Sequence, residues 1–104
     1  MEQINMPYEI EYTEKSLGDL REIAQYLAEH SRDASFIVVG EIRDMIKALA
    51  TAPKIGPVYE KRPRLRRVVA GKHLVFYEVD VDKERISIVR ILHSARDVNH
   101  ALKG

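Results

Sequence analysis

The chain has 104 residues, no cysteine and a formal net charge of +1 at pH 7. A chain of this length fits one domain that buries about two-thirds of its unfolded surface, and the lack of cysteine excludes disulfides and thiol chemistry. No run approaches the ~18 apolar residues of a membrane span, and the first residues lack the basic and apolar regions of a signal peptide, so we expect a cytoplasmic protein.

The charge is distributed unevenly along the chain. Residues 2–53 carry ten acidic and five basic side chains, residues 54–72 carry one acidic and seven basic, and residues 73–104 carry five of each. The central segment therefore has a net charge of +6. A basic segment in a nearly neutral protein indicates an anionic partner, which is either a nucleic acid or an acidic protein segment.

The N-terminal part predicts a strand and then a helix. Tyr8–Tyr12 alternates apolar and acidic residues, which is typical of a half-buried strand with one solvated face. Ser16 followed by Asp19 is a weak capping box, and apolar residues then recur at helical spacing as far as Leu27. We interpret the charges on the opposite helix face, Asp19 among them, as solvated.

A second helix follows after a short polar break. Residues 30–33 fit a helix–helix turn, apolar positions between 38 and 49 recur at helical spacing, and Pro53 ends the pattern. Two helices joined by so short a turn should be antiparallel and present one apolar surface to a sheet.

The segment Pro53–Arg64 predicts an irregular basic loop. Its three prolines and one glycine prevent regular structure, and its lysines and arginines supply positive charge. A solvated connection and a functional loop are about equally compatible with the sequence, because loops of ~12 residues in compact domains are often functional.

The C-terminal part predicts three antiparallel strands. Leu65–Ala70 and His73–Asp80 flank a Gly-Lys pair that suits a type II′ turn, and a second turn near residues 82–83 leads into Arg85–His93. This alternation places Arg66 opposite Tyr77. It also pairs Ala70 with His73, Val68 with Val75, Val79 with Ile86, Tyr77 with Ile88 and Val75 with Arg90. Arg66, Tyr77 and Arg90 are therefore expected on one face.

Arg90 lies among aliphatic residues of an inner strand, where an unpaired guanidinium would cost several kcal/mol. It is therefore expected either to pair with a carboxylate at the strand's edge or to line a surface that something else covers. The two predicted helices cover one sheet face, which leaves the other for a protein partner. The alternative cover is a short terminal helix in residues 94–102, beginning with a cap from Ser94 to Asp97.

The strand G-K-H-L-V-F-Y (Gly71–Tyr77) and the ending I-L-H-S-A-R-D (Ile91–Asp97) resemble the ParE branch of the RelE/ParE toxin superfamily. The resemblance implies an α+β fold, in which an antiparallel helical hairpin packs on one face of a mostly antiparallel four-stranded sheet with the order β-α-α-β-β-β. The first strand would lie beside the last, and the Leu65 strand at the far edge. Residues 1–104 would form a single toxin domain, with a disordered N-terminus at 1–6 and a C-terminal segment at 94–104.

The resemblance also implies a function. A ParE-like toxin of a type II toxin–antitoxin module binds DNA gyrase, blocks replication and is neutralised by a cognate ParD-like antitoxin. A RelE-like toxin would instead cleave mRNA on the ribosome, and a degenerate member would bind its antitoxin and poison nothing. We expect no cofactor, no metal, no membrane contact and no direct sequence-specific binding of nucleic acid.

Site residues follow from these alternatives. The partner-binding candidates are Arg66, Arg67, Tyr77, Arg90 and Arg96. A binding toxin needs no catalytic residue, whereas a nuclease would use Arg66, Arg90, His93 and Lys61 as phosphate clamps and acid/base groups. We favour a structural role for His93 because it ends a buried strand, and the spacing of the histidines makes a zinc site improbable.

Overall fold

The computed structural model describes residues 6–103. The elements in chain order are β1 (Glu9–Tyr12), α1 (Glu14–Ala28), α2 (Arg32–Leu49), β2 (Arg66–Ala70), β3 (His73–Asp80), β4 (Arg85–His93) and α3 (Val98–Lys103). The sheet order is β1-β4-β3-β2, with β1 parallel to β4 and the other pairs antiparallel. The predicted architecture is confirmed. The predicted disorder at 1–6 falls on residues outside the described part of the chain, except for Met6.

Hydroxyl side chains begin the two long helices. Thr13 caps α1, because its Oγ1 accepts a hydrogen bond from the Ser16 amide at 3.1 Å. The predicted cap at Ser16 is therefore wrong: Ser16 lies inside the helix, buried, and its hydroxyl donates to the Thr13 carbonyl at 2.9 Å. Ser31 caps α2 by accepting from the Ala34 amide at 3.1 Å.

The main core lies between the helical hairpin and one sheet face. Ile42, Ile46 and Leu49 of α2 are fully buried against the sheet, where Val75 and Tyr77 are also fully buried. Further core side chains come from β4: Ile86, Ile88 and Ile91. Burial of this apolar area stabilises the packing of the helices on the sheet.

The opposite sheet face carries a second, smaller core. Its buried side chains are Leu65, Leu74, Phe76 and Leu92, and they are covered by Tyr59 from the basic loop and by Val98, Ala101 and Leu102 from α3. A terminal helix thus covers part of the face that was expected to await a partner. This helix begins after Asp97, whose carboxylate accepts from the His100 amide at 3.2 Å, and not at Ser94.

The predicted register holds except at one place. Arg66 faces Tyr77, Val68 faces Val75 and Tyr77 faces Ile88, but a β-bulge between Phe76 and Tyr77 then shifts the β3–β4 pairing by one residue. Arg90 consequently lies opposite Phe76, and the predicted Val75–Arg90 pair is wrong. A bulge adds an unpaired residue to one strand and turns the side chains that follow it. Arg90 therefore does not share the face of Arg66 and Tyr77.

Candidate partner-binding surface

The basic loop is attached to the outer edge of the sheet. The Tyr59 amide donates to the Leu65 carbonyl at 2.9 Å, and the Arg67 amide donates to the Pro57 carbonyl at 3.1 Å. A bridge between Val58 and Arg66 lies between these two bonds. Because β2 is an edge strand, these bonds pair backbone groups that would otherwise be open. The loop is therefore a fixed part of the surface.

Gly56 anchors the start of this loop. Its amide donates to the Tyr77 hydroxyl at 3.0 Å, and its carbonyl accepts from Arg66 Nη1 at 2.8 Å. A Cβ at this position would lie 2.6 Å from the Arg67 carbonyl oxygen and 2.8 Å from the Tyr77 hydroxyl, so only glycine fits without a shift of the backbone. Tyr77 is fully buried, and burial raises the pKa of its hydroxyl.

Arg67 lies on the opposite side of β2 from Arg66, since successive residues of a strand alternate between faces. Its guanidinium carbon lies 5.6 Å from the centre of the Tyr59 ring, a cation–π distance. The Tyr59 ring contacts Phe76 edge-to-face with 5.3 Å between ring centres. The side chain of Arg67 is half-buried. Arg67 is thus held on an aromatic support beside the second core.

Arg90 is bound within the chain by Asp19 of α1. Its Nε donates to Asp19 Oδ2 at 2.8 Å, its Nη2 donates to Asp19 Oδ1 at 2.9 Å, and its Nη1 donates to the Ala101 carbonyl of α3 at 2.9 Å. The hydrogen bonds that Arg90 donates to Asp19 raise the pKa of the guanidinium. Of the two expectations for Arg90, pairing with a carboxylate at the strand's edge is the one observed.

Asp19 was expected to be solvated, and this expectation is wrong. The residue is 7% exposed, and besides Arg90 its Oδ2 also accepts from the Ile91 amide at 2.9 Å. The pairing of β1 with β4 ends at Tyr12 and Ile88, so the Ile91 amide lies on a stretch of β4 that β1 no longer covers. The carboxylate serves as the acceptor that a neighbouring strand would supply.

A cleft separates the helical hairpin from the end of the sheet where β4 stops. It has a volume of about 870 Å³ and is lined by apolar side chains of both long helices, by His73 and His93, and by Arg96. The two imidazole rings are 5.3 Å apart, edge-to-face. His73 is 7% exposed, its Nδ1 has no hydrogen-bond partner, and burial, together with the neighbouring His93, lowers its pKa. His93 is exposed, and its Nδ1 accepts from the Ala95 amide at 3.0 Å.

The predicted site residues do not converge. Arg66 and Arg90 belong to strands separated by β3, so their backbones are about 10 Å apart, and each donates to a different acceptor within the chain. Lys61 lies on the exposed part of the basic loop, and His93 and Arg96 line the cleft. Tyr77, a predicted partner-binding residue, has no exposed surface.

Two structural residues were not singled out from the sequence. The role of Asp19 could have been inferred, because Arg90 required a carboxylate partner. Asp19 follows Ser16 by three residues and so lies on the same side of α1, which is the buried side. Gly56 had only its place between an isoleucine and a proline, which does not reveal the close approach of Tyr77.

Neither a metal site nor a membrane span is found in the described part of the chain. Among residues 6–103, no group of three or more histidine and acidic side chains is arranged to hold a metal ion. None of the helices formed by these residues is long and apolar enough to cross a membrane.

Solved toxin structures share this arrangement of helices and strands. A chromosomal ParDE system from P. aeruginosa matches with a TM-score of 0.70 and 21% identity, covering 83% of this chain and 95% of the other. A mutant of E. coli toxin RelE in the free state matches with a TM-score of 0.66 and 13% identity, covering 92% and 93%. The chain thus has the RelE/ParE-like α+β fold.

Sequence comparison identifies the family of the chain. The family described as the ParE toxin of the type II toxin–antitoxin system parDE matches residues 10–98. The chain belongs to this family. A relative named Toxin ParE1, from two strains of Mycobacterium tuberculosis, is 36% identical over 63 residues, which are 60% of this chain and 63% of the relative. The matched segment therefore spans less than two-thirds of that relative's length.

Proposed function

We propose that this chain binds DNA gyrase, thereby blocks replication in the cytoplasm, and is held inactive by a ParD-like antitoxin. The match of residues 10–98 to the ParE toxin family carries the proposal. The segment Ile91–Asp97 resembles the ParE branch, and this resemblance implies gyrase as the target. The toxin acts by occupying a surface of its target and breaks no bond itself.

The bonding of the sheet arginines supports binding over cleavage. Stabilising a phosphorane requires donors that are aimed at the site where charge develops. Arg66 directs Nη1 at the Gly56 carbonyl, and Arg90 directs three nitrogens at Asp19 and Ala101. These donors are occupied within the chain, so a clamp made from them would first have to break the bonds that hold the loop and α3.

A ribosome-dependent mRNA endonuclease is the second candidate, and the cleft favours it. His93 and Arg96 are both exposed and line the same cleft, which therefore holds a candidate acid/base group and a cation. Lys61 lies on the basic loop and not in this cleft. The nuclease would therefore depend on His93 more than on any other predicted residue.

The antitoxin is proposed to bind along β2 and along the sheet face that Tyr59 and α3 cover only in part. Arg67 offers a positive charge there, and Val69, on the same face of β2, exposes 56% of its surface. The Arg67 amide points away from the sheet and donates to the Pro57 carbonyl of the loop. Every second residue of a strand directs its amide and carbonyl to the same side, so the backbone groups of Val69 also point away from the sheet, at a place that the loop does not cover. An extended acidic segment can pair with such an edge. Arg96, exposed three residues after the end of β4, would be a further charge contact.

A direct test compares the two targets with the same protein. Purified chain is added to gyrase with plasmid DNA and, in a separate assay, to translating ribosomes. Both assays are repeated with His93→Gln and with the control His30→Gln, which changes an exposed histidine between α1 and α2. We expect loss of supercoiling or accumulation of cleaved DNA, with intact mRNA and with both variants as potent as the parent. A folded but inactive His93→Gln variant, whose parent cuts mRNA on ribosomes, would establish the nuclease instead.

A further inference from the structure

The part of the basic loop around Pro63 carries a cluster of cations that none of the contacts described so far uses. This basic tip consists of Lys61, Arg62 and Arg64 around Pro63, three positive charges within four residues. Lys61 and Arg64 are exposed, whereas Arg62 is half-buried and its Nε is buried without a hydrogen-bond partner. Within residues 6–103 no carboxylate lies at ion-pair distance from any of the three. Uncompensated charges held this close repel one another, so an anion that binds them is stabilised.

The backbone of the tip is fixed by two successive turns. The Arg62 amide donates to the Tyr59 carbonyl at 2.9 Å, and the Leu65 amide donates to the Arg62 carbonyl at 2.8 Å. Pro63 occupies the second position of the latter turn, where its fixed φ is favourable. The tip therefore keeps its shape on binding, and little backbone entropy is lost.

The shape of the tip favours one kind of anion. Lys61, Pro63 and Arg64 are all exposed around the tight turn that the Leu65 amide closes on the Arg62 carbonyl, so the tip projects as a turn. A peptide or a single nucleic-acid strand is usually bound in a groove, and a single strand also needs an exposed aromatic face on which its bases stack. The nearest ring, Tyr59, packs against Phe76 and lies under Arg67, so it offers no free face of that kind.

We propose that the basic tip binds the phosphates of duplex DNA without sequence specificity. Projecting arginine and lysine side chains enter DNA grooves and neutralise phosphates on either side, and they need no concave protein surface to do so. The deep, narrow major groove of duplex RNA does not admit them in the same way. This contact goes beyond the binding of gyrase. It would place the toxin against the DNA that gyrase holds, in addition to the enzyme itself.

The salt dependence of binding tests this proposal. Anisotropy of a labelled mixed-sequence duplex of about 20 base pairs, about two helical turns, is measured with the full chain over a range of salt concentrations. Phosphate contacts from the two exposed cations, Lys61 and Arg64, predict a slope of about −1.8 for the logarithm of the association constant against the logarithm of salt concentration, and Lys61→Gln or Arg64→Gln should each make the slope shallower by about 0.9. The control Lys47→Gln, on the exposed side of α2, should leave the slope unchanged.

The outcomes are separable from those for the gyrase proposal. Equal slopes for the tip variants and for Lys47→Gln would overturn the inference. So would tip-dependent binding of a single-stranded RNA or of a polyglutamate peptide that equals or exceeds the binding of duplex DNA. Unchanged thermal melting of the variants shows that they are folded. Gyrase inhibition without DNA binding refutes only the tip contact, whereas DNA binding without gyrase inhibition supports it and refutes the proposed function.

Discussion

Replacing Asp19 by asparagine should destabilise the protein more than any change of a single surface charge. The side chains of Asp19 and Arg90 are 7% and 14% exposed, so solvent screens their interaction little. The carboxylate accepts from Arg90 Nε, from Arg90 Nη2 and from the Ile91 amide. Asparagine has one acceptor oxygen in place of two, and its NH₂ group would face a donor.

The size of the effect follows from these contacts. Removing one partner of a buried ion pair typically costs about 3–5 kcal/mol, because the other charge stays buried without compensation. A small domain has about 5–15 kcal/mol of stability in total, so the loss is a large part of it. With a urea dependence of about 1–3 kcal/mol per molar, the midpoint of unfolding should fall by about 1–5 M.

The assay is urea unfolding followed by circular dichroism, with Asp44→Asn, at an exposed position of α2, as the matched control. The pair Asp19→Leu with Arg90→Met removes both charges and should recover part of the lost stability, since no ion then remains buried alone. A midpoint for Asp19→Asn equal to that of Asp44→Asn would refute the account of this ion pair.

Three other predictions follow from the structure. Gly56→Ala should lower the unfolding free energy by about 1–3 kcal/mol in thermal melts, because the added methyl group would overlap the Arg67 carbonyl oxygen and the Tyr77 hydroxyl. Arg67→Glu should weaken antitoxin binding in calorimetry far more than Arg21→Glu on the outer face of α1, and equal losses would contradict the proposed surface. Burial lowers the pKa of His73, so below its unfolded value of about 6.5 the unfolded state binds more protons. The free energy of unfolding should therefore decrease as the pH is lowered from about 6.5 through the folded pKa of His73. In urea unfolding at several pH values, His73→Gln should show a weaker dependence on pH.

The parts of the fold that depend on local sequence patterns were predictable. The first hairpin needs positive φ at one turn residue, and Gly71 has φ of 61°, so the register of β2 on β3 follows from the turn. The position of β1 beside β4 has no local signal and was expected only from the resemblance to known toxins, and the parallel direction of this pair was not predicted. The bulge was missed because β4 has aliphatic residues at both odd and even positions, so its sequence fits two registers equally well.

The burial of Tyr77 was missed for a different reason. Its position opposite Arg66 was correctly predicted, but a strand pattern that is apolar on both faces does not tell which face the helical hairpin covers. The hairpin covers the face that carries Tyr77, so the predicted contact residue became a core residue and the anchor of Gly56. Which face is covered depends on contacts between distant parts of the chain.

The cations that were predicted as site residues fall into two groups, and the division decides how mutational data should be interpreted. Arg66 and Arg90 donate to acceptors within the chain, and they hold the basic loop and α3 in place. Lys61 and Arg96 are exposed, and Arg67 lies over Tyr59 on the same face of β2 as the exposed Val69. A partner can reach the second group without breaking a bond of the first. Loss of toxicity on substitution of Arg66 or Arg90 is therefore evidence for a contact with the target only if the free energy of unfolding is unchanged.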